Sequence, residues 1–260
     1  LGASTRITQE DEPIVSEILL SMKYCDLSLP SPEENLACDE VLLDLCESGE
    51  GEEVLRMWEP SCYFVVLGYA NRAATEVNLP FCKANTIPVL RRCTGGGTVV
   101  QGPGVLNYTL ILRSDETGPL RSITSTNDYV MARNQAALAG LLRARIERHG
   151  HTDLALGGLK FCGNAQRRHR RTVIFHGSFL LHLDIELMEK ILPMPSRQPD
   201  YRLDRSHSDF LMNLKTEPGQ IKSALARAWN ATERLPVLPL PQIQQLATKK
   251  YALPDWNYKF

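Results

Sequence analysis

Residues 91–100, RRCTGGGTVV, set two arginines, a thiol and a hydroxyl ahead of three consecutive glycines and a β-branched run. Glycine in regular structure costs about 0.5–1 kcal/mol relative to alanine, because it loses the most backbone freedom on folding. Three in a row between strand-like segments therefore mark a place that needs bare backbone. Two uses fit. The run can form a tight hairpin or bulge, or its N–H groups can converge on an anion, with Arg91 and Arg92 supplying charge. A Walker loop is excluded, since no Gly-Lys-Ser/Thr follows.

The flanking sequence reads as a strand-rich core. VLRMW (54–58) and CYFVVLGY (62–69) are β-branched and aromatic runs separated by Glu59-Pro60-Ser61, and IPVLRR (87–92), TVVQ (98–101) and LNYTLILR (106–113) continue the pattern. The last alternates as a half-buried strand does. Residues 33–46 carry apolar positions at helical spacing behind an acidic start and end at Ser48-Gly49, which predicts an amphipathic helix. A short polar helix is expected around 71–78, and the longest helix of the chain over 127–148, ended by His149-Gly150. LKFCGNAQ and TVIFHGSFLLHLD read as two more strands joined by a QRRHRR turn, with helices to follow at 186–191, 217–230 and 241–250. No repeat or clean linker interrupts the chain. The expectation is one α+β domain: an N-terminal extension over 1–32, a catalytic region over 33–214 and a short helical tail over 215–260 that belongs to the same domain.

Bulk properties narrow the function classes. With 260 residues and 43% hydrophobic content the chain can bury a sizeable core, and a net charge of −1 speaks against a general nucleic-acid binder. The seven cysteines form no CxxC, and their odd number leaves one unpaired in any closed disulfide scheme, so reduced thiols are expected. No stretch reaches the ~18 apolar residues of a membrane span, and the N-terminal residues lack a charged-then-apolar leader pattern. A cytoplasmic, membrane-free protein is expected. The first residue is Leu1 rather than methionine, which points to a processed or incomplete start.

Lys160 lies in GGLKFCGNAQ, where glycines and a following strand would fix its ammonium on rigid backbone. A lysine so placed can stabilise charge on an acyl or phosphoryl oxygen. Its company strengthens this reading. Arg91-Arg92-Cys93-Thr94-Gly95-Gly96-Gly97 resembles an RRxSGGG run, and Lys160, Gly163 and Ala165 a KxxGxA motif, of the lipoate–protein ligase and octanoyltransferase group in the biotin/lipoate ligase superfamily. Trp58, Gly68, Glu76 and Asn78 match its upstream tryptophan strand and VVxG segment, and Asp153, His176 and Ser178 also fit. The resemblance runs from about Asn35 to Leu214, most of the chain.

This resemblance implies a mixed β-sheet flanked by helices, similar to class II aminoacyl-tRNA synthetases, around a groove for an acyl chain and an adenylate. In the ligases, lipoate and ATP, with magnesium, form lipoyl-AMP, and the lysine of an acceptor lipoyl domain attacks it. Gly95, Gly96 and Gly97 would then approach the acyl and phosphate moieties, and Arg92 and Thr94 would help bind them. Lys160 would stabilise the reacting oxygens, Asp153 would orient them, and Trp58 would line the groove. Gly163, Ala165, His176 and Ser178 would complete the binding surface.

Three departures keep other readings open. Gln101-Gly102 stands where many ligases have a His-Asp pair, Tyr69 replaces an arginine common after the VVxG glycine, and only about 46 residues follow Leu214, too few for an ordinary accessory domain. A separate accessory protein is one answer. Octanoyltransferases of the same fold instead pass the chain from acyl carrier protein through a cysteine thioester. The region where one branch keeps that cysteine contains none here, and Cys93 and Cys162 are the substitutes in the motifs, though each stands where the family accepts a small residue. A catalytically silent lipoate or acyl-adenylate binding protein is a further reading. His207 is a candidate for proton transfer from the incoming amine. The four arginines of QRRHRR are either a solvated turn or a docking patch for an acidic acceptor domain or acyl carrier protein.

Overall fold

The computed structural model describes residues 22–260. Its first helix shows how local chemistry sets an element. Ser31 caps α1 (Pro32–Ser48) by accepting from the Glu34 amide while Glu34 reaches back to Ser31, and Pro32 occupies the first turn. Gly49 ends it at φ 88°, a left-handed conformation that favours glycine.

The chain then builds two sheets. β1 (Lys23–Asp26) runs parallel to β2 (Val54–Trp58), while β3 (Phe64–Leu67) leaves for a second sheet. The two runs separated by Pro60 are thus neighbours in sequence but not in pairing. Two short helices, α2 (Ala73–Glu76) and α3 (Leu79–Ala84), lead to β4 (Val89–Arg91), parallel to β3, and β5 (Val99–Gln101) pairs antiparallel on its other side. The glycine run connects β4 to β5 across β3.

β6 (Val105–Arg113) crosses the centre of the large sheet between β2 and β10 (Thr172–Leu180). Its alternation reads as half-buried, yet all but Arg113 are buried. Leu106, Tyr108, Leu110 and Leu112 face one helical layer, whereas Thr109 and Ile111 face α1, where Asp39 accepts the Thr109 hydroxyl at 2.8 Å. The polar face of the pattern is covered by a helix that satisfies it rather than by water.

α4 (Ile123–Leu142) is shorter at its C-terminus and longer at its N-terminus than the periodicity predicts. Ser122 and Ser125 form a capping box at its start, and Arg143 breaks it at φ 50°. Ile146 turns into the core and β7 (Glu147–His149) pairs with β8 (Asp153–Leu156), so sheet pairing overrides the helical propensity of 143–148. β9 (Leu159–Arg168) runs antiparallel to β8 and β10 and includes Gln166, Arg167 and Arg168. The tight turn is therefore only the end of QRRHRR. Arg167 reaches Glu40 at 3.5 Å and Arg168 the Thr126 hydroxyl at 3.1 Å, so neither is a free turn cation.

After α5 (Ile185–Ile191) and α6 (His207–Phe210), the C-terminal residues fold back onto this frame. α7 (Pro218–Ala228) packs on α4, where Trp229 donates to Asn134 at 2.8 Å. β11 (Glu233–Arg234) pairs with β1, and the sequence reading of 1–32 as an extension is corrected at 23–26, which form the strand between β11 and β2; residues 1–21 lie outside the described residues. α8 (Leu240–Leu246) and the turn that continues it bury Ile243 and Tyr251 against α1. α9 (Pro254–Asn257) brings Asn257 to β4, whose Arg91 amide it accepts at 2.9 Å. Among the described residues no helix is long and apolar enough to cross a membrane.

Candidate active site

The glycine run and the Lys160 strand face each other across a cleft of about 1800 Å³. Gly95, Gly96, Gly97 and Thr98 line one side, Asp153, Lys160 and Gly163 another, and Pro193 and residues 195–202 also line it.

The run is a loop built around a buried arginine. Arg92, 7% exposed, donates to the carbonyls of Gly95 at 2.6 Å and Gly97 at 2.8 Å and to the Thr94 hydroxyl at 3.0 Å. In a trans peptide the N–H points opposite to its C=O. The amides of Gly96 and Thr98 are thereby turned away from the guanidinium. Burial lowers the Arg92 pKa to about 10, which leaves it charged at neutral pH, and among the described residues no carboxylate lies within salt-bridge distance of it. An uncompensated positive charge thus backs the loop. Arg92 Nε and Nη2 are thus turned to Thr94, Gly95 and Gly97, and shape the loop from inside. Arg91 is likewise internal, donating to the carbonyls of Gly68, Tyr69 and Asn71.

Gly96 is the glycine the geometry demands. It sits at φ 88°, and a β-carbon there would stand 2.8 Å from Arg92 Nη2 and 3.3 Å from the Ala165 β-carbon. Gly68 packs against the Gly96 carbonyl so closely that any side chain would overlap it. A β-carbon on Gly95 or Gly97 would meet nothing within 4 Å, so their lack of side chains keeps the cleft open instead.

Behind the loop, Thr94 Oγ1 lies 2.7 Å from His176 Nε2. Burial, then the Arg92 charge, pushes the His176 pKa down to about 3, so the ring is neutral. Thr94 accepts from Arg92 and pairs with Nε2, while His176 Nδ1 faces Asp39 Oδ2 at 4.0 Å. Thr94 is buried and His176 half-buried, and both support the loop rather than forming part of the cleft wall. Ser178 lines the cleft and joins a closed set with Gln101 and Asn107, accepting from Gln101 at 2.8 Å and donating to Asn107 at 2.6 Å.

On the opposite wall the register of β8 and β9 slips between Leu154 and Ala155, which leaves an extra residue on β9 beside Lys160. Phe161 and Cys162 both turn inward, and Lys160 Nζ meets Asp153 Oδ1 at 2.9 Å. Gly163 makes room for that pair, since a β-carbon there would lie 2.9 Å from Nζ. Asp153 Oδ2 accepts from the Tyr201 hydroxyl at 2.8 Å. Tyr201 escaped the sequence reading, as a single tyrosine in an irregular segment carries no periodic or motif signal.

Other expected positions fall differently. Trp58 does not line the cleft: it is 3% exposed in the layer between sheet and α1, with the Arg56 guanidinium 5.3 Å from its ring. Cys93 and Cys162 border the cleft but are buried, and burial raises the Cys93 thiol to about 12 and the Cys162 thiol further. Burial thus disfavours the thiolate at both. His207 is buried with Nε2 3.4 Å from the Pro193 carbonyl and Nδ1 unpartnered, and burial lowers its pKa. Among the described residues no three metal-ligating side chains cluster, and Asp153 and Glu76 in the cleft are engaged by Lys160, Tyr201 and Ser196. The described residues therefore form no all-protein magnesium cage.

A mixed sheet whose lysine strand shares a cleft with a bare glycine loop is the frame on which the chain's family is recognised. Residues 31–225 match the lipoyl protein ligase A/B catalytic domain family, and the chain belongs to it. Lipoate-protein ligase A subunit 1 of Thermoplasma acidophilum is 25% identical over 242 residues, covering 86% of this chain and 90% of that protein. Octanoyltransferase LipM of Moorella thermoacetica is 27% identical over 268 residues, covering 90% and 96%. A crystal structure of lipoate-protein ligase A bound with ATP superposes with a TM-score of 0.79 at 22% identity, covering 92% of this chain and 99% of that one.

Proposed function

We propose that the protein is an ATP-dependent lipoate–protein ligase. The observation that carries this reading is the Lys160–Asp153 pair facing a glycine loop whose amides turn away from the buried Arg92 charge. A lipoate carboxylate attacks the α-phosphorus of ATP, giving lipoyl-AMP and pyrophosphate. The amine of an acceptor-domain lysine then attacks the acyl carbon, the C–O bond to AMP breaks, and the amine proton leaves to solvent. Loop amides and the Arg92 field favour the phosphate, and the Lys160 ammonium stabilises oxygens that gain charge in both steps. Magnesium enters with the nucleotide as part of the substrate.

The acceptor is a lipoyl-domain protein. The ligase relative from Thermoplasma is named as one subunit, which supports a second, accessory protein here as well. Incubation with ATP, magnesium and lipoate should release pyrophosphate and label a lipoyl domain, and Lys160→Ala should abolish both. Acyl transfer from acyl carrier protein without ATP, with a thioester on Cys93 or Cys162, would establish the octanoyltransferase reading instead. Tight lipoate binding without either reaction would mark a silent binding protein.

A further inference from the structure

Asp153 has two oxygens and two partners. Lys160 Nζ holds Oδ1 at 2.9 Å and the Tyr201 hydroxyl holds Oδ2 at 2.8 Å. Tyr201 is placed for this by its ring, which stacks on His149 with centroids 4.5 Å apart at 16° and lies 5.1 Å from Phe210. His149 is the strand partner of Asp153, so one β7–β8 pair carries both the carboxylate and the surface that orients its second donor. Burial, then the Asp153 charge, raises the Tyr201 pKa, so the hydroxyl stays protonated and donates.

A carboxylate free on one side can rotate to offer both oxygens to an ammonium. Such an arrangement would draw the lysine's donors toward the aspartate. With Oδ2 occupied, Lys160 meets Asp153 as an ion pair on Oδ1 alone, and its N–H donors stay available for oxygens in the cleft. The segment bearing Tyr201 is not shaped by local preference alone. Leu203 and Asp204 sit at φ 54° and 55°, and Gln198 Oε1, Arg202 Nη2 and His207 Nδ1 are buried without partners. Its course over the lysine strand has a conformational cost that its own sequence does not require.

We infer that Tyr201 is a positioning residue: by holding Oδ2 of Asp153 it keeps the Lys160 ammonium aimed into the cleft with its donors available to substrate. This rests on the ligase reading of Lys160. Tyr201→Phe keeps the ring contacts to His149 and Phe210 and removes only the hydroxyl. Lipoate-dependent pyrophosphate release by the full chain should lose roughly ten- to hundredfold in kcat, with KM for ATP and lipoate unchanged within about twofold. The loss should not add to that of Asp153→Asn in the double variant. A kcat within about twofold of wild type, a loss confined to KM, or additive losses would each overturn the inference. The ammonium nitrogen resonance of Lys160, read by NMR on the unliganded protein, gives an answer independent of turnover. It should move in Tyr201→Phe, and an unmoved signal overturns the inference. If wild type releases no pyrophosphate while that signal moves, the ligase reading fails and the positioning role stands.

Discussion

The α-carbon of Gly163 and the ammonium of Lys160 lie so close that a β-carbon on Gly163 would stand 2.9 Å from Nζ and 3.0 Å from Cε. The motif glycine is thus a space reserved for the lysine side chain, two strand positions away from it on the same face.

Gly163→Ala should therefore displace Lys160 from Asp153 without disturbing the core. The expected result is a kcat for lipoyl-AMP formation lower by about tenfold or more, with an unchanged melting curve. Full activity would show that the ammonium tolerates relocation.

Arg92 shapes the glycine loop from inside, and its loss leaves the carbonyls of Gly95 and Gly97 without their donors. Arg92→Met should cost about 2–4 kcal/mol in chemical denaturation and raise KM for ATP. A variant as stable as wild type would contradict the loop's dependence on this residue.

His176 is neutral in the fold, with a pKa pushed from 6.5 down to about 3 chiefly by burial. The unfolded chain binds the proton first as pH falls, so the stability His176 contributes is complete above pH 6.5 and is lost progressively between 6.5 and about 3. Denaturation midpoints should fall across this window with a slope of up to about 1.4 kcal/mol per pH unit from this group. His176→Asn should flatten the slope, and equal slopes for both proteins would remove His176 as its source.

Asn257 accepts the Arg91 amide at 2.9 Å through its side chain and the Arg91 guanidinium at 2.8 Å through its carbonyl. Asn257→Ala should lower stability by about 1–3 kcal/mol and expose β4 to faster amide exchange. Unchanged exchange at Leu90–Cys93 would show that α9 is dispensable to the loop's footing.

Cys93 and Cys162 carry raised thiol pKa values from burial. Cys93→Ala and Cys162→Ala should each retain pyrophosphate release within about threefold of wild type. Loss of transfer, together with loss of a mass-detectable acyl adduct, would favour covalent catalysis.

The features legible in the sequence were those fixed within a few residues. Ser48-Gly49 stops α1, and the glycine run and Lys160 announce a backbone-lined cleft because both signals are contiguous. What escaped depends on which face meets what. Trp58 reads as groove wall until α1 is seen to cover its side of the sheet, and residues 143–148 look helical until β8 recruits them. Tyr201 meets Asp153 across 48 residues of chain, a closure no local pattern encodes.

Gly68 nested against the Gly96 carbonyl, with Arg92 gathering the loop from beneath, means that this backbone has its shape before any ligand arrives. The ordering entropy of that loop is incurred once, when β3, β4 and β5 assemble, and is not charged again at each encounter. Nucleotide capture on this wall should then show a small entropic penalty, leaving the segment over Lys160 as the part of the cleft whose settling sets the temperature dependence of binding.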